Sequence, residues 1–549
     1  MQPDTPVLIV GGGPIGLATA LELACRGIRS VLVEQDSRTA PVLLAKAGTL
    51  NVRTLEFCRR WGIADAVAHW GAPDDFPRDT VYCTSLQGRY IGRDAAPSQR
   101  ERRPPECSPE MLQKCPQHVF DPLLARAVLE RDHTRILYST RVQSFVQDDA
   151  GVTALLEDLT TGQATPLRAQ YMVGCDGAAS AVRRSLGVAF EGPTLDYSVS
   201  ALVQIDRLER FHAFGPAERF LFLGREGTWS NLTSVDFQKL WRFTLVGSEE
   251  RLDPARLDLP SFLDRAFGVG AVPHEVLRVV PWRRSQCTAA SYLRGRVLLA
   301  GDAAHTTSPT GGHGLNTGLG DVVGMGWVLE ARIKGWGGPQ LLQAYEAERR
   351  PVAIRNGQSS TRNYQGWVRR DADYALIEDA SPDGDAARAQ IGRQLNAMLY
   401  PEWNSRGIAL GYRYAHSPVI LGDGTPEPAD DPSDYLQTSR PGHRAPHALL
   451  ADGRSTLDLF GNGFVLLCLS SDPALGSVME SAATAAGIPL QVVCLHEADV
   501  TRVYEKKWVL VRPDGHVAWR ADVLPEDPLV LLRMVCGQVT VATGDAVVA

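Results

Sequence analysis

The stretch Arg296-Val297-Leu298-Leu299-Ala300-Gly301-Asp302-Ala303-Ala304-His305, continuing from Thr306 to Asp321, decides the fold. Val297 to Ala300 is a short unbroken apolar run, the pattern of a strand buried on both faces of a parallel sheet. It ends at Gly301-Asp302, and Pro309, Gly311, Gly312, Gly314, Gly318 and Gly320 crowd the residues beyond. Glycines at that density let backbone amides approach a flat or anionic ligand, and from Leu315 the pattern is helical. Asp302 stands at the carboxyl end of the strand, where open α/β sheets bind their ligands. Its carboxylate is placed either to accept bonds from a polyol or to cap the helix that follows.

The amino-terminal segment repeats the design. Val7 to Val10 is an apolar strand, and Gly11-x-Gly13-x-x-Gly16 follows without a gap. Apolar residues and alanines then recur at helical spacing from Ile15 to Arg26, Gly27 stops the helix, and Ser30 to Val33 forms a second strand ending in Glu34. Strand, glycine turn, helix, strand and acid together make a dinucleotide-binding unit. The glycines allow a tight turn that aims the helix amino terminus at a pyrophosphate, and Glu34 is placed to accept bonds from an adenosine ribose. Charge–dipole contacts at such a terminus contribute about 0.3–1 kcal/mol each. At this point FAD and NAD(P) both remain open. A third copy of the theme is Tyr171-Met172-Val173-Gly174-Cys175-Asp176-Gly177, an apolar strand, a Gly-x-Asp-Gly turn and a short helix carrying Arg183 and Arg184.

Between these segments the periodicity changes. Residues 80 to 93 read as a hairpin with a Gln-Gly turn, 94 to 109 as a Pro- and Arg-rich surface loop, and Gln117 to Arg131 as a helix. Arg135 to Tyr138 reads as a strand and residues 142 to 169 as an antiparallel meander. From about 188 to 285, period-two strands such as Arg219 to Leu223, Trp229 to Val235 and Leu240 to Val246 predict a mainly antiparallel sheet. Residues 320 to 410 read as mostly helical and 416 to 446, dense in Pro, Asp and Gly, as a linker. Beyond lie the strand Phe464 to Leu469, a helix from Pro473 to Ala486, the strand Leu490 to Leu495, a hairpin turning at Asp514-Gly515 and a last helix from Asp527. That order predicts a small thioredoxin-like domain, with Cys468 and Cys494 as core packing rather than a redox dithiol.

The totals narrow the class. A chain of 549 residues with 44% hydrophobic and 22% charged residues is long enough for several domains. A net charge of -7 speaks against a nucleic-acid surface, which needs concentrated positive charge. No apolar run approaches a membrane span, and Met1 to Asp4 leads into a strand without a basic leader, so a cytoplasmic location is expected. Ten cysteines without any Cys-x-x-Cys fit free thiols, and no metal site is expected.

Taken in order, Gly11-x-Gly13-x-x-Gly16 with Glu34, Gly174-Cys175-Asp176-Gly177 and Gly301-Asp302 with its glycine loop resemble the single-component FAD-dependent aromatic hydroxylases, the family of p-hydroxybenzoate and phenol hydroxylases. The resemblance covers roughly residues 5 to 360. Arg444-Ala445-Pro446-His447 and Leu510-Val511-Arg512-Pro513-Asp514-Gly515 look like the phenol and polyketide hydroxylase branch with its carboxyl-terminal thioredoxin-like domain. The fold implied is α/β, a Rossmann-like FAD domain with an inserted sheet. Residues 1–187 and 286–415 would form the FAD domain, with the hairpin 80–104 joining a substrate domain at 188–285. Residues 416–446 would be the linker and 447–549 the thioredoxin-like domain.

The resemblance also implies roles. Gly11, Gly13, Gly16 and Glu34 would hold the ADP part of FAD, Gln117 would sit beside the flavin, and the backbone of Val142 would meet the adenine. Asp176 would serve both FAD and the nicotinamide nucleotide, and Gly301 and Asp302 the ribityl chain. Pro309, Gly311, Gly312, Gly314, Leu315 and Asn316 would lie against the isoalloxazine ring. Lys46 falls where many relatives carry arginine and lacks the planar fork of that residue. His313 and His305 are not expected to be catalytic. Trp229, Asn231, Trp241, Phe243 and Pro309 are candidates to line the substrate cavity, with core packing as the competing reading for the first four.

The implied chemistry is reduction of FAD by NADPH or NADH, addition of O2 at flavin C4a, and transfer of OH from the hydroperoxide to a small aromatic substrate. The residue that assists phenol deprotonation is not identified. By analogy the protein would be a homodimer, with no nucleic-acid or membrane partner. Two other readings stand beside this one. The first is a Baeyer–Villiger or epoxidising oxygenase on the same scaffold, and the second a catalytically silent flavin-binding partner protein. A disulfide-type reductase is disfavoured, because it needs a second βαβ site and a cysteine pair.

Overall fold

The computed structural model describes residues 3–38, 48–368, 374–470 and 476–539. The apolar runs singled out in the sequence become neighbours in one sheet of strand order Leu293–Arg294, Val297–Leu299, Ala164–Gly174, Thr5–Val10, Ser30–Val33, Thr134–Leu137. All pairings among the last five are parallel. The side chains of Val7 to Ile9 and of Val297 to Leu299 are fully buried, as strands covered on both faces must be. The helices Pro14–Cys25 and His313–Lys334 pack together, with Leu17, Leu21, Leu319 and Val323 in a common core.

The strand Ala164–Gly174 does two jobs. Its first half pairs antiparallel with Gly151–Asp158, closing the meander begun by Thr140–Asp148, and its second half runs parallel to Thr5–Val10. The meander and the Tyr171 strand, read as separate pieces in the sequence, are therefore one continuous element.

A second sheet has seven strands in the order Glu275–Ser285, Thr194–Gln204, Leu240–Ser248, Gly227–Ser234, Arg219–Gly224, Thr80–Cys83, Tyr90–Asp94. The hairpin at residues 80 to 93 forms its edge, and Thr80–Cys83 lies parallel to Arg219–Gly224, its only parallel pairing. A helix, Leu259–Phe267, which the period-two reading missed, covers one face through Leu263, Ala266 and Phe267. Its Asp258 cap accepts from Ser261 N, a start signal hidden among strand patterns. The opposite face meets the long helices Gln340–Val368 and Pro382–Trp403 through Leu221, Leu223, Trp367 and Ile391.

The carboxyl-terminal sheet runs Leu490–Cys494, Phe464–Cys468, Trp508–Val511, Val517–Ala521, one parallel and two antiparallel pairs. Helices Gly476–Ala485 and Pro528–Val535 cover one face and share a core with Trp327, Trp336 and Leu341 of the first domain's helical layer. Two details differ from expectation. Cys494 is exposed, because it falls on the edge strand, so only Cys468 packs in the core. Residues 443 to 445, read as part of a linker, are buried, and the Arg444 guanidinium grips Glu56 at Nε–Oε2 3.0 Å. The residues before Gly476 in the predicted helix lie outside those described.

Candidate active site

The parallel strands bring the three turns to one edge of the sheet. Register pairs Val10 with Gly174 and Val33, and Gly174 with Leu299, so the residues after each strand emerge side by side. Cys175 N donates to Val10 O at 2.8 Å, joining the second turn to the first. Ile15 packs against Gly301, joining the first to the third. Arg183 Nη1 donates to Ala303 O at 2.8 Å and ties the second to the third.

The first turn has a closed side and an open side. A Cβ at Gly16 would come to 1.8 Å from Gly11 O, whereas one at Gly13 would meet nothing within 4 Å. Gly13 precedes helix Pro14–Cys25 with no side-chain cap, so the first-turn N–H groups have only that open space for a partner. Glu34 reaches the turn, its Oε2 accepting from Gly12 N at 2.5 Å and its Oε1 from Asp36 N at 2.9 Å. Thr140 N donates to Glu34 O, at the start of the strand that bears the half-buried Val142. In the second turn both Asp176 oxygens serve the motif itself, accepting from Ser180 Oγ at 2.6 Å and Val182 N at 3.0 Å.

Asp302 is exposed at the end of its strand, while its neighbours are buried. Beneath it, Asp321 clamps the turn. Its Oδ2 accepts from Gly301 N at 3.1 Å and lies 2.8 Å from His305 Nε2, and its Oδ1 accepts from Arg349 Nε at 2.9 Å. Burial alone would raise the Asp321 pKa, but His305 and Arg349 hold it below the ordinary carboxylate value. All three side chains are about 1% exposed or less, which makes His305 part of a scaffold rather than a base facing substrate.

The glycine loop follows. Gly311 and Gly312 have φ of +88° and +67°, and Gly312 precedes helix His313–Lys334, again with no side-chain cap. Asn316 Nδ2 donates to Thr49 O at 2.9 Å and to Gly312 O at 2.6 Å, and its Oδ1 accepts from Asn51 N at 2.9 Å and Thr54 Oγ1 at 2.7 Å. Asn316 therefore fixes the loop and leaves ligand contact to the backbone. Pro309 is exposed, and Gly314 and Leu315 are half-buried. His313 is buried, which lowers its pKa to about 4 and keeps it neutral. Gln117 is buried at the start of helix Gln117–Leu129, its Nε2 donating to Asp121 Oδ2 at 3.1 Å. Lys46 lies outside the described residues.

The four candidates on the sheet divide. Trp229, Trp241 and Phe243 belong to the core under helix Leu259–Phe267, facing away from the glycine loop. Trp229 and Asn231 are two residues apart and should share a face, but a bulge opposite Phe222 and Leu223 turns Trp229 over, 6.0 Å from the Phe222 ring. Asn231, paired with Leu221 and Thr244, keeps the other face. That face carries what the sequence reading did not pick out. Ser200 Oγ lies 2.9 Å from Thr244 Oγ1 and accepts from Trp282 Nε1 at 2.9 Å. Arg284 Nε donates to Asp196 Oδ1 at 3.1 Å and its Nη1 to Ser308 Oγ at 2.9 Å, while Tyr364 OH donates to Asp196 Oδ2 at 2.6 Å. Arg219 lies 3.5 Å from Glu402 Oε1, which accepts from Gly311 N at 3.3 Å, so this face adjoins the loop. The available signal was a charged residue at the head of one apolar strand, Arg219, and inside the next but one, Arg242, which an alternation count treats as noise.

FAD fits these residues. Two helix amino termini lack side-chain caps, Asp302 is exposed at the end of its strand, and Glu34 reaches the first glycine turn, so the residue types that would hold its phosphates and hydroxyls are present. Comparison with known proteins agrees. The FAD binding domain family matches residues 4–360 and the aromatic-ring hydroxylase C-terminal family residues 438–538. The chain belongs to the FAD-dependent aromatic-ring hydroxylases. A putative polyketide hydroxylase of Streptomyces halstedii is 34% identical, with 94% of this chain and 93% of the relative covered. Phenol 2-monooxygenase of Pseudomonas sp. (strain EST1001) is 31% identical over 96% of this chain and 91% of its own. Among solved structures, RebC soaked with chromopyrrolic acid and holding 7-carboxy-K252c superposes with a TM-score of 0.90 at 36% identity, covering 98% of this chain and 100% of that one. The protein is an FAD-dependent monooxygenase, and no described helix is long and apolar enough to cross a membrane.

Proposed function

We propose that this monooxygenase uses NADPH or NADH and O2 to hydroxylate a phenolic or polyketide-type aromatic, bound between the Gly311 loop and the Asn231–Thr244–Ser200 face of the seven-stranded sheet. The observation that carries the reading is that face: a polar surface, walled by buried aromatic and aliphatic side chains, adjoining the loop through Glu402 and Gly311. FAD, when bound, supplies the electron transfer and oxygen activation; the chain supplies position, charge and dryness. Gly13 and the first turn of Pro14–Cys25 would bind the pyrophosphate, Glu34 the ribose and Asp302 the ribityl hydroxyls. The amides from Gly311 to Asn316, at the amino terminus of a 22-residue helix, favour negative charge on the flavin face they meet. Gln117 beside the flavin, Val142 at the adenine, Asp176 toward FAD and the nicotinamide nucleotide, and Pro309 at the ring and the substrate remain part of the proposal, as does the domain division. Aromatic packing around Leu221, Leu223, Tyr82 and Trp367 keeps water away from the reacting carbon.

The test is ligand-stimulated NADPH and NADH oxidation across a panel of phenols, with the mass and position of oxygen from 18O2 in the product. Stimulation with a ring hydroxyl supports the reading. Oxygen inserted beside a carbonyl or across a double bond would move the assignment to the Baeyer–Villiger or epoxidising alternative. Yellow protein that no aromatic stimulates would establish the silent flavin binder. A homodimer and a cytoplasmic location are part of the proposal, tested by light scattering and by fractionation of the native host.

A further inference from the structure

The carboxyl-terminal domain has no Cys-x-x-Cys, yet helix Val52–Trp61 of the FAD domain sends three arginines into it. Arg53 Nη2 donates to Asp514 O at 3.0 Å, Arg59 Nε to Asp458 Oδ1 at 2.7 Å and Arg60 Nη1 to Pro513 O at 3.3 Å. Glu56 of the same helix accepts from Arg444 Nε and from Arg53 Nη1. This helix begins at the flavin loop. Its cap Asn51 and its Thr54 both donate to Asn316 Oδ1, and Asn316 Nδ2 donates to Gly312 O, so the first turn and the loop form one hydrogen-bonded unit.

A second line ends one residue further on. Arg349 Nη2 donates to Thr317 O at 3.0 Å and its Nη1 to Tyr414 OH at 3.2 Å. The Tyr414 ring lies 4.3 Å from the His516 ring, and the Tyr412 ring, whose hydroxyl accepts from Arg53 Nε at 3.4 Å, lies 5.3 Å from it. Arg512 grips Glu348, beside Arg349, through Nη1 at 2.6 Å and Nη2 at 2.8 Å. Both lines leave from one turn, Arg512-Pro513-Asp514-Gly515-His516, and arrive at adjacent residues, Asn316 and Thr317. The turn is tightly held: Gly515 N donates to Arg512 O at 2.9 Å, Arg512 Nη2 to Asp514 Oδ2 at 2.6 Å, and all three charged or imidazole side chains are buried. The loop has little of its own to hold it, since Gly311, Gly312 and Gly314 carry no side chains. Buried ion pairs add little net stability over apolar contacts of equal volume, and their best-attested use is to fix register.

We infer that the Arg512–His516 turn of the carboxyl-terminal domain sets the position of the flavin loop, with Arg53 and Tyr414 as positioning residues that act through Asn316 and, by way of Arg349, through Thr317. This rests on the contact between the Gly311 to Asn316 amides and the flavin proposed above, and it goes further by giving the appended domain a part in the flavin site. A loop that is held loosely loses reduced flavin before oxidised flavin, because the amides and helix terminus favour the negative charge that reduction brings.

The experiment uses the FAD-loaded full chain and reads two quantities that need no aromatic ligand: the Kd of oxidised FAD and the two-electron midpoint potential of the bound flavin. Arg53→Met keeps a side chain over the Phe57 ring and removes the three bonds. It should weaken reduced FAD about tenfold more than oxidised FAD, a fall in potential of about 30 mV. Arg53→Lys keeps the charge without the fork and should fall between the two, which also carries the test if Arg53→Met does not fold. Tyr414→Phe removes only the bond to Arg349 and should shift the potential the same way by less. Leu467→Ala opens a cavity in the core of the carboxyl-terminal domain alone, and should lower the melting point while leaving both quantities at their wild-type values. Asn316→Ala, in the loop itself, should move both. If Asn316→Ala moves them and neither the Arg53 variants nor Tyr414→Phe does, the positioning role falls and the loop keeps its place at the flavin. No change in Asn316→Ala removes that place and the positioning role with it. Equal shifts in Leu467→Ala and Arg53→Met at equal loss of stability reduce the bridge to ordinary packing and overturn it. A phenol panel that stimulates nothing would sink the hydroxylase reading and leave these readouts standing.

Discussion

The glycine edge of the parallel sheet and the polar face of the seven-stranded sheet meet where Gly311 N donates to Glu402 beside Arg219, and they are made of different material. The first is backbone: turns, helix amino termini and residues without Cβ, with Asp302 and Glu34 as the added side chains. The second is side chains on one face of a sheet, chosen by which way each strand alternates. A backbone site needs particular residue types at fixed spacing, so it writes a motif. A side-chain site needs only correct parity, and one bulge rewrites it.

The largest predicted effect separates two glycines of one motif. A methyl at Gly16 collides with Gly11 O at 1.8 Å, so Gly16→Ala should lose soluble, folded protein or all bound FAD. At Gly13 the methyl meets no protein atom, and φ of -73° suits any residue. Gly13→Ala should therefore melt within a degree or two of the wild-type apoprotein, yet bind FAD at least tenfold more weakly. Equal behaviour of the two variants in melting and flavin titration would remove the distinction between the closed and open sides of the turn.

On the sheet the same logic predicts a variant that harms the fold and spares the ligand. Phe243 is fully buried under helix Leu259–Phe267, 6.0 Å from Phe267. Phe243→Ala should cost about 3–5 kcal/mol in urea unfolding. Among molecules that still fold, affinity for an aromatic ligand should stay within twofold. A tenfold loss of affinity at unchanged stability would return Phe243 to the cavity wall.

This contrast marks what could be read from the chain. The three turns and Glu34 were legible because each depends on its own residues and the strand before it. That Asp321 and Arg349 hold the Gly301 turn from below was not legible, since they lie 20 and 48 positions further on in helices whose packing fixes the contact. Trp229 stood as a candidate for the cavity with core packing as the competing reading, and a bulge that no local signal announced turns it into the core. For Trp241 and Phe243 the competing reading, core packing, is what the structure shows: the sheet has two faces with apolar side chains, and composition does not say which one a helix covers. Helix Leu259–Phe267 covers the face that carries them.

Acid should weaken the fold through two buried histidines, one of them in the glycine loop. His313, inside the loop, is held near pKa 4 by burial, and His516 in the carboxyl-terminal domain likewise. Both sit below the unfolded value of about 6.5, so the unfolded chain binds more protons between these limits and stability falls as pH drops through the window. By pH 5 each contributes a loss of about 2 kcal/mol. Unfolding midpoints should decline from pH 7 to 5, and His313→Gln should flatten the decline. A smaller effect tests the cofactor edge alone. Asp302→Ala should weaken FAD by about tenfold, roughly 1.4 kcal/mol, with little change in the apoprotein melt. Stoichiometric, tightly held FAD in that variant would reassign Asp302 to capping.

The smallest effect is expected where the two regions meet least directly. Thr244 Oγ1 lies 2.9 Å from Ser200 Oγ, which also accepts from Trp282 Nε1. Thr244→Val keeps the shape and strand preference of the side chain but removes one hydroxyl, so Ser200 keeps the indole as its remaining partner. The loss in stability should be about 1 kcal/mol, and FAD content should not change. If this row lines the cavity, the Kd of a hydroxylated aromatic should shift by a few fold in either direction, depending on whether the ligand used that hydroxyl. If the row is only internal packing, the stability change appears alone. Because Phe243 lies one position away on the opposite face, the pair Thr244→Val and Phe243→Ala reads the parity of this strand directly: ligand affinity should follow the first, and stability the second.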